Sequence, residues 1–504
     1  MDKALSPLAS RVVLFGAQEE LFTCKNIIIG LSGGPDSVAL IALLHEISEC
    51  REDFPSLHAI HINHNIRQEA KEDEELSRRL AADYEVPFAV YSEDVLALSS
   101  KLKRSVEDTG RIVRYKAFRS YIEENKLQDA VIAVAHHKDD LAETVMLNLY
   151  RGSGLEGLVS PLPKAGDIIR PLLCLRKAEL AEYLKEKKLS FAVDATNLDS
   201  DYTRNAWRNK IFPLIGEHSV KDPIEAVNDT YELLKDDLAY LEEAADKAYE
   251  EARIYKHGHP FLKEAKTNSL PAAIKSRVLR LLWNEIFSSL TDFSGKNTKD
   301  CMNTAAANTR LAMPFGRVFA KAGGFMTFCE EQEYEGKMKD IACLMGFIVS
   351  SEGSRISLDT GCSKTANLPN SDIQIKCEII ENNVDIAYNN MSWFYPLADG
   401  DETFDAILCN GSLTRRFRRA GSDSSKPLGR LLMSLHVPKE ARSSVMYLEL
   451  SGEIVWIPGI GASCGIVSEK AYKAWTEANG GIEPTRFLKV SVCCVEGKEE
   501  YGSV

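Results

Sequence analysis

Short apolar runs alternate with amphipathic stretches from about residue 24 to 215. The runs Asn26–Leu31, Leu57–Asn63, Pro87–Tyr91 and Ala130–His136 are compact and rich in Ile, Val and Ala, as buried strands are. Between them, Ser37–Cys50, Gln68–Tyr84, Thr109–Asn125 and Asp139–Tyr150 carry apolar residues at helical spacing. This alternation predicts an α/β fold, a doubly wound parallel sheet. Ligands of such sheets bind at the carboxyl ends of the strands. Three polar clusters, Ser32–Ser37, His61–Arg67 and His136–Glu143, each follow their own strand, so one shared site is expected there.

The pattern changes after Pro213. Residues 221–256 and 271–290 are rich in Ala, Glu, Leu and Lys at helical spacing, followed by a Gly-rich turn and short strands over Met313–Phe328. The expected organisation is a catalytic domain at 1–215 and a mainly helical domain at 216–330. A β-rich linker or insertion at 331–390 and a small C-terminal α/β domain at 391–504 complete it. A chain of 504 residues is too long for one core, which fits this division.

Composition narrows the function class. With 44% hydrophobic and 27% charged residues the chain reads as an ordinary soluble protein. It has no run near the ~18 apolar residues of a membrane span. Met1–Gln18 lacks the pattern of a signal peptide, so a cytoplasmic location is expected. None of the 12 cysteines forms C-x-x-C, which argues against structural zinc and a redox dithiol. A net charge of −13 disfavours non-specific coating of nucleic acid, while local basic patches leave recognition of one particular RNA open.

The strongest chemical signal is Ser32-Gly33-Gly34-Pro35-Asp36-Ser37. Its glycines let backbone approach an anion, and the following helix start supplies amide donors. Asp36 would repel phosphate unless a cation bridges them, which implies Mg²⁺. There is neither a G-x-x-x-x-G-K-[ST] nor a G-x-G-x-x-G here. Asp140 and Glu143 share a helix face as a candidate metal or nucleotide site, although N-capping alone also accounts for them. His136 and His137 read as ligands, bases or satisfied polar groups. Arg151-Gly152-Ser153-Gly154 reads as an anion-holding turn or a helix C-cap. Arg111 and Arg114 share a helix face; Asp194–Asn197 and Arg204–Arg208 offer anion clamps and amides. Arg415-Arg416-Phe417-Arg418-Arg419, with Lys426 and Arg430, is a dense basic patch suited to phosphates, with Phe417 free to stack on a base; a solvated edge strand is the competing reading.

The loop resembles that of the N-type ATP pyrophosphatases, which cleave ATP between its α- and β-phosphates and adenylate a carbonyl oxygen. The ordered set goes further. Ser32–Ser37, His64–Arg67, Glu107 with Arg111–Tyr115, Asp140–Thr144, Arg151–Gly154, Arg170–Leu173, Asp194–Asn197 and Arg204–Arg208 together resemble the bacterial tRNA(Ile)-lysidine synthetase family over about 24–215. The helical middle and basic C-terminal segments are similar, more weakly, to that family's RNA-binding appendages. Gly421-Ser422-Asp423 departs from the family's usual Gly-Asp, and 331–390 has no clear counterpart.

The resemblance implies an adenine nucleotide alpha hydrolase-like PP-loop fold. It implies ligation of free L-lysine to C2 of the wobble cytidine in tRNA(Ile) with a CAU anticodon, through an adenylated intermediate. It points to Asp36, Asp140, Glu143, Arg111 and Arg204 for catalysis and to Asp36 and Asp140 for Mg²⁺. ATP would lie on Ser32, Gly33, Gly34, Pro35, Asp36, Ser37, His64, Arg151 and Gly152. The tRNA would meet Arg208, Arg415, Arg416, Arg418, Arg419 and Lys426. Which carboxylate meets lysine and which meets metal stays open, and a homodimer is compatible with the family.

Three alternatives differ in sequence. A PP-loop tRNA thiolase usually carries the C-x-x-C that this chain lacks. A GMP synthetase needs a glutaminase portion, for which Met1–Cys24 is too short. A non-catalytic RNA-binding scaffold would not need the intact loop.

Overall fold

The computed structural model describes residues 4–63, 70–192, 202–290, 293–351, 353–359, 364–368, 373–381, 391–397, 405–420, 422, 424–465 and 469–494. The chain forms two compact units, Met1–Tyr240 and Leu241–Val504, divided within one long helix.

The first unit opens with α1 (Pro7–Gln18), β1 (Asn26–Gly30), α2 (Pro35–Ser48), β2 (Ser56–Asn63), α3 (Ala70–Asp83) and β3 (Phe88–Ser92). There follow α4 (Val95–Leu102), α5 (Val106–Glu124), β4 (Ala130–Ala133), α6 (Lys138–Tyr150), α7 (Leu155–Leu158), β5 (Lys164–Ala165) and β6 (Ile168–Ile169). The unit continues through α8 (Lys177–Glu186), α9 (Tyr202–Ala206), a π-helical turn Trp207–Ile211, α10 (Phe212–His218) and the first part of α11 (Pro223–Ala252).

The sheet order is β3-β2-β1-β4-β6-β5, with parallel pairing from β3 through to β6 and an antiparallel β5 at the edge. The chain winds outward from β1 to β3, then returns to place β4 on the other side of β1. That reversal makes the crevice at the ends of β1 and β4 the topological switch point, where ligands of open α/β sheets bind.

Successive side chains of β1 serve opposite faces. Ile27 and Ile29 pack with Val38–Leu44 of α2 and with Leu180 and Leu184 of α8. Ile28 faces the other way, onto Phe118 and Tyr121 of α5. Gly30 ends the strand because a Cβ there would lie 2.9 Å from the Phe118 ring. The expected strands and helices occur with ends shifted by a few residues. β4 ends three residues early, at Ala133, as residues 134–137 lead into α6, and α5 begins three residues early, at Val106.

In the second unit, two strands, Arg253–Lys256 and His259–Lys263, join Thr309–Met313, Arg317–Ala322 and Phe325–Glu330 in a five-stranded sheet. The helical pattern over 221–256 predicts helix to its end, but its last residues form the first of these strands. Trp283 of the helix Ala272–Phe287 stacks on Phe293 at 4.7 Å and anchors the core beside this sheet.

The expectation of a separate β-rich segment at 331–390 is corrected. It begins with a helix, Tyr334–Leu344. Its strand Arg355–Asp359 then pairs with Asp405–Cys409, and Ile373–Glu381 pairs with Arg486–Cys494. Residues on both sides of 390 therefore build the same two sheets around one core containing Trp393 and Trp456. Local pattern could not show this, because strand partners are distant in sequence.

Candidate active site

The loop after β1 is held by its own hydroxyls. Ser37 Oγ donates to the Gly34 carbonyl at 2.9 Å and accepts from the Ser32 amide at 3.2 Å; the two serine oxygens are 3.1 Å apart. Gly34 caps α2 without a side chain, so the cap itself makes no hydrogen bond to the Asp36 and Ser37 amides and leaves that end of the helix suited to an anion. Gly33 has φ +83°, a conformation that favours glycine.

Across the switch point, His137 caps α6. Its Nδ1 accepts from the Asp140 amide at 3.4 Å, while Asp140 Oδ2 accepts from the His137 amide at 3.1 Å. His137 Nε2 then faces Asp140 Oδ2 at 3.4 Å and Asp36 Oδ2 at 3.8 Å. Two carboxylates, one from each strand end, therefore converge on one ring nitrogen. Burial pushes the Asp36 carboxyl above the usual range, and Asp140 adds to this while His137 and Lys177 oppose it. Burial would raise Asp140 too. His137, His136, the His137 amide and Arg208 outweigh it and hold that carboxyl low.

Glu143 lies one turn further along α6 and is 1% exposed. Arg208 binds it through both oxygens, Nε to Oε1 at 2.6 Å and an Nη to Oε2 at 2.9 Å, and reaches Asp140 Oδ1 at 3.1 Å. Arg204 Nε lies 3.4 Å from Glu143 Oε2, close enough for charge attraction but outside hydrogen-bond geometry, and its Nη donates to Thr144 Oγ1 at 3.2 Å. Burial still raises the Glu143 carboxyl against the pull of Arg208. Arg204 and Arg208 are i and i+4, and Arg208 sits in the π-helical turn, a distortion frequent at functional sites.

Arg208 is thus a correction. Its expected place is on tRNA, but its guanidinium is engaged by the two α6 carboxylates. Asp139, beside them, ties α6 to α8 instead, accepting from the Lys177 amide at 2.8 Å and from Arg176.

Around His136 the site is short of acceptors. His136 Nδ1, Arg170 Nε and Arg204 Nε are buried and meet no hydrogen-bond partner among the described residues. Burial pushes His136 down to about 4, against Asp140 and aided by Arg170, Arg111 and Arg204. The ring is neutral at pH 7. Arg111 lies on exposed α5 over the Tyr115 ring at 5.2 Å. Buried guanidinium nitrogens grouped around His136, which follows β4 at the switch point, suit an anion such as a phosphate of ATP.

The carboxylates suit Mg²⁺, which is commonly held by one or two of them together with substrate phosphates and water.

Other expected residues lie elsewhere. Arg151 is the C-cap of α6 and Gly152 follows it with φ +75°. At about 1.5 Å per residue, the length of α6 separates their backbone from Asp140. His64, with the rest of His64–Arg67, and Asp194–Asn197 lie outside the described residues.

In the second unit, Arg415 is bound to buried Glu449 and to the Gly452 carbonyl. Phe417 is buried in the core, so it cannot stack on a base. These two expectations are corrected: Phe417 of the short strand Arg416–Phe417 turns into the core, and Arg415 just before it, though 35% exposed, is held by Glu449. Arg416, Arg418, Arg419 and Lys426 are exposed, with Arg416 braced on Ser425 at 2.7 Å.

Sequence reasoning missed Lys177, whose charge reaches Asp36 from the start of α8. Nothing in its local pattern separates it from an ordinary helix-surface lysine.

A parallel sheet with this loop at its switch point, facing acidic α6, defines a PP-loop nucleotide enzyme. Residues 9–215 match the PP-loop domain family and residues 407–478 the TilS substrate C-terminal domain. The chain is 29% identical over 441 residues to the tRNA(Ile)-lysidine synthase of Caldanaerobacter subterraneus subsp. tengcongensis, covering 86% of this chain and 89% of that protein. It is 29% identical to the synthase of Clostridium acetobutylicum, covering 86% and 90%. Among solved structures, the U34-tRNA thiolase NcsA from Methanococcus maripaludis is similar at 20% identity and a TM-score of 0.39, over 45% of this chain and 78% of that one. The chain thus carries the PP-loop domain and the TilS substrate C-terminal domain and is similar to tRNA(Ile)-lysidine synthases over most of its length.

Proposed function

We infer that this chain is an ATP-dependent ligase that joins free L-lysine to C2 of the wobble cytidine of tRNA(Ile) with a CAU anticodon. The observation that carries this is the switch-point crevice: an α2 start without a side-chain cap on one side, Asp36 and Asp140 converging from two strand ends, and buried guanidinium nitrogens grouped around His136. It occurs in a chain matched at both ends by the domains of one family.

The C2 carbonyl oxygen attacks the α-phosphorus of ATP and pyrophosphate leaves. The lysine ε-amine then attacks C2, the C2–O bond breaks, AMP departs and the amine sheds its proton. Ser32, Ser37 and the loop amides would hold the pyrophosphate. Arg204, with Arg111 and Arg170 near His136, would stabilise charge developing on the phosphates. Asp36 and Asp140 would hold Mg²⁺, which supplies neutralisation of the departing pyrophosphate.

Glu143 is occupied by Arg208 and almost fully buried, so its role in this reading is to orient Arg204 and Arg208. Of the two α6 carboxylates Asp140 is the more accessible, 16% against 1% exposed, and so the one of the pair that a lysine ammonium could reach. Arg416, Arg418, Arg419 and Lys426 would contact tRNA phosphates. A homodimer and a cytoplasmic location remain part of the proposal.

The test is mass analysis of tRNA(Ile) after incubation with the protein, ATP, Mg²⁺ and lysine. A gain of lysine less water on the wobble cytidine, with AMP and pyrophosphate released, is expected. Sulfur incorporation, or no change, would overturn the reading.

A further inference from the structure

Behind the nucleotide loop two buried side chains converge on one carbonyl: His61, the first residue of the expected polar cluster His61–Arg67, and Ser77 of α3. The β1 ladder ends as the Leu31 amide donates to Ile60 at 2.9 Å. The next residue of β2, His61, is 4% exposed and places Nδ1 2.9 Å from the Leu31 oxygen. A carbonyl only accepts, so Nδ1 carries the proton. Ser77 of α3, fully buried, lies 3.5 Å from the same oxygen and 3.3 Å from the ring nitrogen.

The Leu31–Ser32 peptide is planar, and a trans peptide points its C=O and N–H in opposite directions. With the carbonyl held from behind, the Ser32 amide must point forward, into the loop, where it meets Ser37 Oγ. α3 also forms the wall behind Gly33: a Cβ there would lie 3.3 Å from the Asp73 carbonyl and 3.4 Å from Ser77 Oγ. The hydrogen bonds of His61 and Ser77 run to the Leu31 carbonyl and to each other.

We propose that His61, assisted by Ser77, is a positioning residue that fixes the Leu31–Ser32 peptide and so sets the direction in which the loop presents its donors to the pyrophosphate portion of ATP. This rests on reading the loop as the ATP cradle. The imidazole acts as a buried donor that keeps one peptide plane from turning.

The chemistry suggests a graded test. Asn carries an N–H donor on Cγ, as the His Nδ1 is carried, and can keep the bond. Leu fills similar space with no donor. In the full-length protein, His61→Leu should lower kcat for tRNA-dependent pyrophosphate release about tenfold or more, since oxyanion-type donors are worth at least that. His61→Asn should recover most of the loss, to within about threefold of wild type. Calorimetric affinity for inorganic pyrophosphate should follow the same order.

A merely structural role would lower the melting temperature and the folded fraction but leave kcat per folded molecule unchanged. Equal kcat in all three proteins, or equal loss in the Leu and Asn variants, would overturn the proposal. If His61→Leu does not fold, the comparison passes to Ser77→Ala, for which a smaller loss in the same two readouts is expected and unchanged values count against it. Absence of tRNA-dependent pyrophosphate release from wild type would refute the functional reading instead. The order of pyrophosphate affinities would still decide the positioning role.

Discussion

Arg208 grips Glu143 through both carboxylate oxygens, at 2.6 and 2.9 Å, across a gap of 65 residues in sequence. The carboxylate is buried and the guanidinium partly exposed, so the pair is unequal. Removing Arg208 leaves the buried Glu143 without a hydrogen-bonded partner and with only Arg204 nearby, whereas removing Glu143 leaves an arginine that still holds Asp140 and that water can reach.

Arg208→Ala is therefore expected to destabilise the first unit by about 3 kcal/mol, the low end for breaking a buried pair. Glu143→Gln should cost less stability and reduce turnover by ~100-fold, because Arg204 and Arg208 lose the charge that aims them. Denaturant melts and single-turnover rates of both single variants and the double variant check this. Strictly additive stability changes would mean that the two residues do not act as a pair.

Asp36→Asn should abolish pyrophosphate release while leaving the melting temperature equal to or above that of wild type. The sign follows from burial: the carboxyl is pushed up because its charge is poorly solvated, so a neutral isostere relieves a cost. Near-normal release from this folded variant would remove Asp36 from the metal site.

The C-terminal arginines should separate into two classes. Replacing Arg416, Arg418 and Arg419 with Ala should weaken tRNA binding and flatten its salt dependence, by up to about 0.9 in log–log slope for each phosphate left unneutralised. Arg415→Ala should instead lower the melting temperature, because it leaves buried Glu449 without its partner. Affinities at several salt concentrations, beside melts, decide it. A pure binding loss for Arg415→Ala would contradict that pairing.

Acid sensitivity should trace to buried neutral histidines. His136 and His259 are both pushed down by burial to about 4, so in the folded state they stay neutral well below their ordinary value of 6.5. Between about 6.5 and 4 the unfolded chain binds protons that the folded chain refuses. Stability therefore rises with pH across this window and falls on acidification, by up to about 1.4 kcal/mol per pH unit for each group. His136→Asn and His259→Asn should each lose less stability than wild type between pH 7 and pH 5. Parallel curves for all three proteins would refute the assignment.

Period and motif in the sequence were enough to determine the alternating strands and helices of the first unit, the anion loop at the end of β1 and the acidic start of α6. Those features are local: a strand's burial, a glycine's positive φ and a helix's amide end depend on residues a few positions apart. The strand order, the convergence of Asp36 with Asp140 on His137, the capture of Glu143 by Arg208 and the support of the Leu31 carbonyl by His61 and Ser77 were decided by tertiary structure. So were the inward turn of Phe417, the hold of Glu449 on Arg415 and the sharing of sheets across residue 390. Each joins groups distant along the chain, and a side chain's partner is set by which strand or helix lies beside it. An arginine spent on a buried carboxylate and one offered to a phosphate are written with the same letter; only the packing around them tells which charge is free.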